Sequence, residues 1–218
     1  MKKNHAIREI IEENINKIKE PEERLPHKRI QKAISKFIYF TPQTILSLNS
    51  LFMLVQSLLG EFKHEAENTR KLLNAIPDTA LSFKPSEKNW TTGQLASHIA
   101  EIYNWYPGTL EQNEFDMAGY KYDKGDISKA GNIVAKFEEN VKVAQASLEK
   151  TPDASMMQMW SLKMGDTNII PPIMRIQAVR GFLMNHLYHH RGELIVYLRS
   201  TGNTVPGLYG PTADSPNF

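Results

Sequence analysis

Three of the seven histidines in this chain fall within five consecutive residues, at positions 186, 189 and 190. On an α-helix, residues four apart lie about 40° apart around the axis, so His186 and His190 face the same way and can bind one ion together. His189 lies about 100° from His190 around the same helix. We therefore expect His189 to stay outside the set of metal ligands.

A metal site needs at least one more ligand, and His98 is the natural candidate. It lies in an apolar row with Leu95, Ile99 and Ile102 on a second predicted helix, so it should face inward. Three neutral imidazoles leave one position of a tetrahedral ion open, as in catalytic zinc sites. Glu101 follows His98 by three residues on nearly the same face, where it could act as a general base or carry a proton.

The same residues also have structural interpretations. A histidine pair at this spacing is common on helices, and a lone histidine in an apolar row is more often a hydrogen-bonded core residue. Glu101 and Glu193 could simply pair with Arg191 or with lysines. The tryptophans, at positions 90, 105 and 160, could form core or pocket wall, and the nine methionines could fill the core.

Composition restricts the chemistry further. The 218 residues include no cysteine, which excludes disulfides, thiolate ligands and a cysteine nucleophile. Any thiol chemistry must therefore use a thiol that a substrate brings. The formal net charge is +2, from 26 basic and 24 acidic residues, so the whole-chain charge does not indicate a nucleic-acid partner.

The sequence does not indicate export or a membrane span. The first twenty residues are rich in charged side chains and lack the apolar stretch of a secretion signal. The most apolar window, residues 37–60, contains many polar residues, whereas a span requires about 20 mostly apolar ones. We expect a cytoplasmic protein that binds neither membrane nor nucleic acid.

The hydrophobic pattern predicts four long amphipathic helices and no strand, and hence an all-α fold, a four-helix bundle. Thr91 and Gln94 have the spacing of a capping box at the start of the second helix. Pro107 and Gly108 should end that helix. The four helices are predicted at about residues 53–76, 92–106, 126–151 and 173–200, and Asp126 or Ser128 could cap the third.

Two segments resemble signatures of the DinB/YfiT-like family. The first is Trp-Thr-Thr-Gly-Gln-Leu-Ala-Ser-His-Ile-Ala-Glu at residues 90–101, and the second is His-Leu-Tyr-His-His-Arg-Gly-Glu-Leu at residues 186–194. Residues 58–65 and 72–77 also resemble the start of that domain. The resemblance covers roughly residues 53–205.

The resemblance implies a DinB-like four-helix bundle in which His98, His186 and His190 bind a divalent ion, zinc or nickel in many members. It also implies homodimers. Members with known activity use low-molecular-weight thiols, such as bacillithiol or mycothiol, in transfer or isomerisation reactions. A glutamate at the position of Glu101 is common in the family, although its role there is not uniform.

From these observations we expect a metal-dependent thiol S-transferase that acts on a small-molecule substrate, with Glu101 as a catalytic residue. Two alternatives stay open: a hydrolase with metal-activated water, and a non-enzymatic metal-binding stress-response protein. Residues 1–52 are rich in Ile and Lys and broken by Pro21 and Pro26, and their composition differs from that of residues 53–218. We interpret residues 1–52 as an extra N-terminal helical segment, 53–205 as the DinB-like domain and 206–218 as a C-terminal tail.

Overall fold

The computed structural model describes residues 54–216 of the chain. The predicted N-terminal helical segment, residues 1–52, lies outside the described residues and stays a prediction. The described part is mostly helical and carries one small sheet of three strands. None of its helices is both long enough and apolar enough to cross a membrane.

Six α-helices occur in the described residues, and a π-helical segment, Val179–Asn185, joins the last two. Two short 3-10 turns, Asp78–Ala80 and Asp153–Met157, lie in connections. The α-helices are α1 Leu54–Asn74, α2 Thr92–Asn104, α3 Tyr106–Leu110, α4 Ala130–Lys150, α5 Arg175–Ala178 and α6 His186–Ser200.

The predicted capping box at the start of α2 is confirmed. The Thr91 side chain accepts a hydrogen bond from the backbone N–H of Gln94, and the Gln94 side chain accepts one from the backbone N–H of Thr91. The prediction that Pro107 ends the helical structure is wrong. Helix α2 ends at Asn104, and Pro107 lies in the first turn of a further short helix, α3, which starts at Tyr106. Proline is tolerated there since N–H groups in the first helical turn have no intrahelical acceptor.

Carboxylates that are distant in sequence cap helices α1 and α4. Asp153 accepts hydrogen bonds from the backbone N–H groups of Leu54 and Val55, at 3.1 and 3.0 Å. Asp78 accepts one from the N–H of Ala130 at 2.8 Å, at the start of α4. Each cap supplies an acceptor for otherwise unpaired N–H groups and ties a connection to a helix end.

The apolar faces of α1, α2, α4 and α6 form one buried core, as the helical periodicity predicted. Phe62 of α1, Ile99 of α2, Phe137 of α4 and Leu194 of α6 are at most 1% exposed. Helix α2 packs against both α4 and α6. This packing brings the middle of α2 beside the first turn of α6, where the histidines of the two helices lie.

The prediction of an all-α fold is wrong in one respect, because the chain forms three strands. They are β1 Glu114–Asp116, β2 Met159–Met164 and β3 Thr167–Met174. β1 pairs with β2 in parallel, and β2 pairs with β3 antiparallel. The sequence does not suggest a strand at Pro171 and Pro172, because proline has no backbone N–H to donate. β3 is an edge strand, however, and proline is tolerated there.

The segment after α6 packs against the helices. Val205 and Leu208 are 2% and 6% exposed, and the hydroxyl of Tyr209 donates to the carboxylate of Glu65 on α1 at 2.6 Å. These residues bury apolar surface at the end of α6. The domain boundaries inferred from the sequence stay a prediction.

Candidate metal centre

The structure brings the three predicted ligand histidines together. One ring nitrogen each of His98, His186 and His190 lies within 4.8 Å of the other two. Nε2 of His98 is 3.4 Å from Nε2 of His186. A divalent ion between such nitrogens would bind at about 2.0–2.1 Å from each, so the rings need only small adjustments to hold one.

Two elements position these rings. His98 lies in the second turn of the capped helix α2, and His186 and His190 lie one turn apart at the start of α6, with ring centroids 4.6 Å apart. The π-helical segment ends immediately before His186. Such segments are frequent at functional sites.

Two glutamates contact Nδ1 of His190 and of His98, which leaves Nε2 of each ring free to face the ion. Oε2 of Glu193 lies 2.7 Å from Nδ1 of His190, and Oε2 of Glu101 lies 3.2 Å from Nδ1 of His98. The structural alternative, in which these acids pair with Arg191 or lysines, is wrong for both contacts. Arg191 is instead paired with Glu65 on α1.

Burial favours the neutral form of two histidines of this cluster, His186 and His190. The pKa of His186 is lowered to about 4, chiefly by burial and next by electrostatic repulsion from His190 and His98. The pKa of His190 is also lowered, chiefly by burial, although its contact with Glu193 opposes the shift. Neutral imidazole is the form that binds metal ions.

This depressed pKa makes the metal-free protein sensitive to acid. The ordinary histidine pKa of 6.5 exceeds that of folded His186, so the unfolded chain takes up the proton first as the pH falls. The free energy of unfolding should therefore fall as the pH drops from 6.5 to about 4. Urea unfolding in the presence of a chelator, at a series of pH values, measures this dependence.

The control for this titration is the substitution His186→Phe, which removes the group and keeps an aromatic ring. Its unfolding free energy should change less with pH across the same interval. An equally steep dependence in the wild type and the variant would contradict a depressed pKa at His186.

His189 lies outside the buried cluster. Its side chain is 64% exposed, and its Nε2 is 3.3 Å from Oε1 of Glu193. His189, His190 and Glu193 form a second group with donors close enough for an ion. That group is more exposed than the cluster of His98, His186 and His190.

Aromatic rings surround the cluster. Trp90 stacks on His190 with ring centroids 6.0 Å apart and meets His98 edge to face at 4.9 Å. Trp105 lies 5.4 Å from His98, and it is 4% exposed, whereas Trp90 is 48% exposed. A buried ring, that of Trp105, therefore covers one side of the centre, and a half-exposed ring, that of Trp90, covers another.

Sequence reasoning missed the contact of Glu193 with His190. Glu193 follows His190 by three residues, as Glu101 follows His98, so the repeated His-x-x-Glu spacing is the signal that could have found it. The hydrophobic pattern also does not reveal the π-helical segment that precedes His186.

Comparison with protein families places most of the chain in one of them. The model of the DinB family matches residues 48–216. Two curated proteins of Bacillus subtilis (strain 168) are similar in sequence. The uncharacterized protein YrdA is 28% identical over 167 residues, which are 75% of this chain and 93% of YrdA. The uncharacterized protein YjoA is 21% identical over 154 residues, 70% of this chain and 94% of YjoA.

Solved structures share the fold. A DinB-like protein from Bacillus cereus ATCC 10987 superposes with a TM-score of 0.55 at 24% identity, over 72% of this chain and 99% of that one. The crystal structure of YjoA, described as a DinB-like protein, superposes with a TM-score of 0.57 at 17% identity, over 70% of this chain and 97% of YjoA. At these identities the likeness concerns the fold alone.

Proposed function

This chain belongs to the DinB family, and from that premise we propose that it is a metal-dependent enzyme built on a four-helix bundle. His98, His186 and His190 hold one divalent ion, zinc or nickel, and leave one coordination position open. The observation that carries this proposal is the convergence of the three imidazoles, with one nitrogen of each within 4.8 Å of the others.

The donor set fits such an ion. Imidazole nitrogen suits zinc and nickel, whereas magnesium and calcium are bound mainly by oxygen. A histidine has to be neutral to bind a metal ion, and burial lowers the pKa of both His186 and His190. Three protein ligands and one open position are the arrangement of catalytic zinc sites.

The reaction we propose is the transfer of a low-molecular-weight thiol to an electrophilic small molecule. The bound ion would supply one thing, a lower pKa for a thiol at the open position. Because the chain has no cysteine, that thiol belongs to a cosubstrate. Its sulfur bonds to the electrophilic carbon, the leaving group departs with the bonding electrons, and the thiol proton passes to solvent.

The protein contributes the walls of the site. Trp90, half exposed beside His98 and His190, offers an apolar surface to the electrophile, and buried Trp105 closes the inner side. A cytoplasmic location suits a thiol cosubstrate, since thiols are kept reduced there. Homodimeric assembly is part of the same proposal.

A metal-dependent hydrolase is the second candidate, because an ion at this position can also activate water. Glu101 is the residue expected to act as its base. Its carboxylate, however, is occupied by Nδ1 of His98, on the side of the ring away from the other histidines. This contact favours a supporting role for Glu101 and, with it, thiol transfer.

Thiol dependence distinguishes these candidates. Zinc-loaded protein is assayed with 1-chloro-2,4-dinitrobenzene and with 4-nitrophenyl acetate, each with and without cysteine or glutathione. We expect product only when both zinc and thiol are present, and none above background with the His190→Ala variant. Ester hydrolysis at full rate without thiol would indicate the hydrolase. Zinc binding without turnover of either compound would favour the non-enzymatic alternative, a metal-binding stress-response protein.

A further inference from the structure

The two helices that carry the histidines share one local arrangement. On α2, Glu101 follows His98 by three residues, and on α6, Glu193 follows His190 by three residues. In both cases the carboxylate contacts Nδ1 of the histidine one turn before it, at 3.2 and 2.7 Å. The histidine side chains are 14% and 12% exposed, whereas Glu101 is 19% and Glu193 38% exposed, so both rings are shielded from water but the Glu193 carboxylate is only partly so.

These contacts decide which ring nitrogen of each histidine is available to bind a metal ion. An ionised carboxylate can only accept a hydrogen bond, so Nδ1 of His98 and of His190 has to carry the proton. In a neutral ring, Nε2 then carries the lone pair. For His98, that nitrogen is the one that lies 3.4 Å from Nε2 of His186. Two lone pairs at this distance repel unless a proton or a cation lies between them.

The third histidine is held differently. Among the described residues, the ring of His186 has no hydrogen bond to a glutamate. The carboxylates therefore act on two of the three rings, one on each helix. Their two negative charges offset the charge of a divalent ion, and they are separated from it by the imidazole rings.

We infer that Glu193 and Glu101 are positioning residues, which orient His190 and His98 and raise the affinity of the centre for its ion. The inference rests on the proposed metal site. Glu193 has the larger effect because its contact is the shorter one. Partners of this kind, which act through a ligand, typically contribute about 10-fold to 100-fold in metal affinity.

Two other roles for Glu193 predict different results. Its second oxygen lies 3.3 Å from exposed His189, so it could be a direct ligand in the group formed by His189, His190 and Glu193. It could also belong to a surface contact without effect on metal binding, since its side chain is 38% exposed. Exposed pairs contribute little to stability.

The test is the zinc affinity of purified full-length variants, measured by competition with a chromophoric chelator. Glu193→Ala should weaken zinc binding by about 10-fold to 100-fold. Glu193→Gln should weaken it less, because the amide oxygen still accepts the hydrogen bond from Nδ1. Glu101→Ala should lie between the wild type and Glu193→Ala. Glu139→Ala, which removes an exposed acid paired three residues away with Lys136, is the matched control and should not change the affinity.

The absorption spectrum of the cobalt-substituted protein adds a readout of geometry. A positioning role predicts that Glu193→Ala keeps the coordination number and band intensity of the wild type once saturated with cobalt. Wild-type zinc affinity in Glu193→Ala would overturn the inference. A complete loss of zinc, or an altered cobalt spectrum at saturation, would identify Glu193 as a ligand and overturn it as well. If the wild type binds no zinc, the metal centre itself is refuted, which separates that failure from a failure of the positioning role.

Discussion

Replacement of His190 by alanine is expected to remove the divalent ion almost completely while the helices stay folded. His190 supplies one of three imidazole nitrogens that lie within 4.8 Å of one another, so two would be left. A centre with two protein ligands holds zinc far more weakly than a centre with three. Elemental analysis after dialysis against a weak chelator gives the ion content per chain, and circular dichroism reports the helices. His186→Ala should behave in the same way.

His189→Ala is the matched control for this loss. His189 precedes His190 directly, yet its side chain is 64% exposed and lies outside the buried cluster. The variant should therefore keep its ion. If His189→Ala lost the ion while His98→Ala kept it, the exposed group of His189, His190 and Glu193 would be the metal site.

A second large effect is expected at the buried ion pair between Arg191 and Glu65. Their side chains are 2% and 9% exposed, and Arg191 also donates to the backbone carbonyl of Glu65 at 3.0 Å. Tyr209 brings the chain after α6 into the same network through its bond to Glu65. Removal of one partner leaves an unpaired buried charge, so Arg191→Met should lower the free energy of unfolding by about 3–5 kcal/mol.

Urea unfolding of the metal-free protein measures this loss. The double variant Arg191→Met, Glu65→Met removes both charges and should recover much of the stability, because no buried charge is then unpaired. The pair of Lys136 and Glu139 is the control, and Lys136→Met should lower the stability far less than Arg191→Met, because water screens this pair. A similarly small cost for Arg191→Met would show that the Glu65 carboxylate finds another partner or water.

Local patterns in the sequence predicted the features that depend on neighbours along the chain. The capping box of Thr91 and Gln94 needs residues three apart, and it is present. The shared face of His186 and His190 follows from the helical repeat, and their rings lie 4.6 Å apart. The apolar stripes of the long helices likewise follow from the helical repeat, and their buried residues form the core.

Features that depend on residues far apart in the chain were not predictable in this way. β1 has only three residues and pairs with β2, which lies more than forty residues later in the chain. β3 contains two prolines, which are unusual in strands, so its sequence does not predict a strand. Asp78 caps α4 from another connection, whereas the sequence favours a local cap at Asp126 or Ser128. The partner of Arg191 is Glu65, on a different helix, although Glu193 is closer in sequence.

X-ray absorption spectroscopy of the zinc-loaded wild type tests the three-histidine centre most directly, because it counts the atoms around the ion. We expect one ion per chain with three imidazole nitrogens at about 2.0–2.1 Å and one further light atom at the open position. Added thiol should replace that light atom by one sulfur at about 2.3 Å. Fewer than three imidazoles around the ion, or a protein that retains no zinc, would contradict the centre formed by His98, His186 and His190.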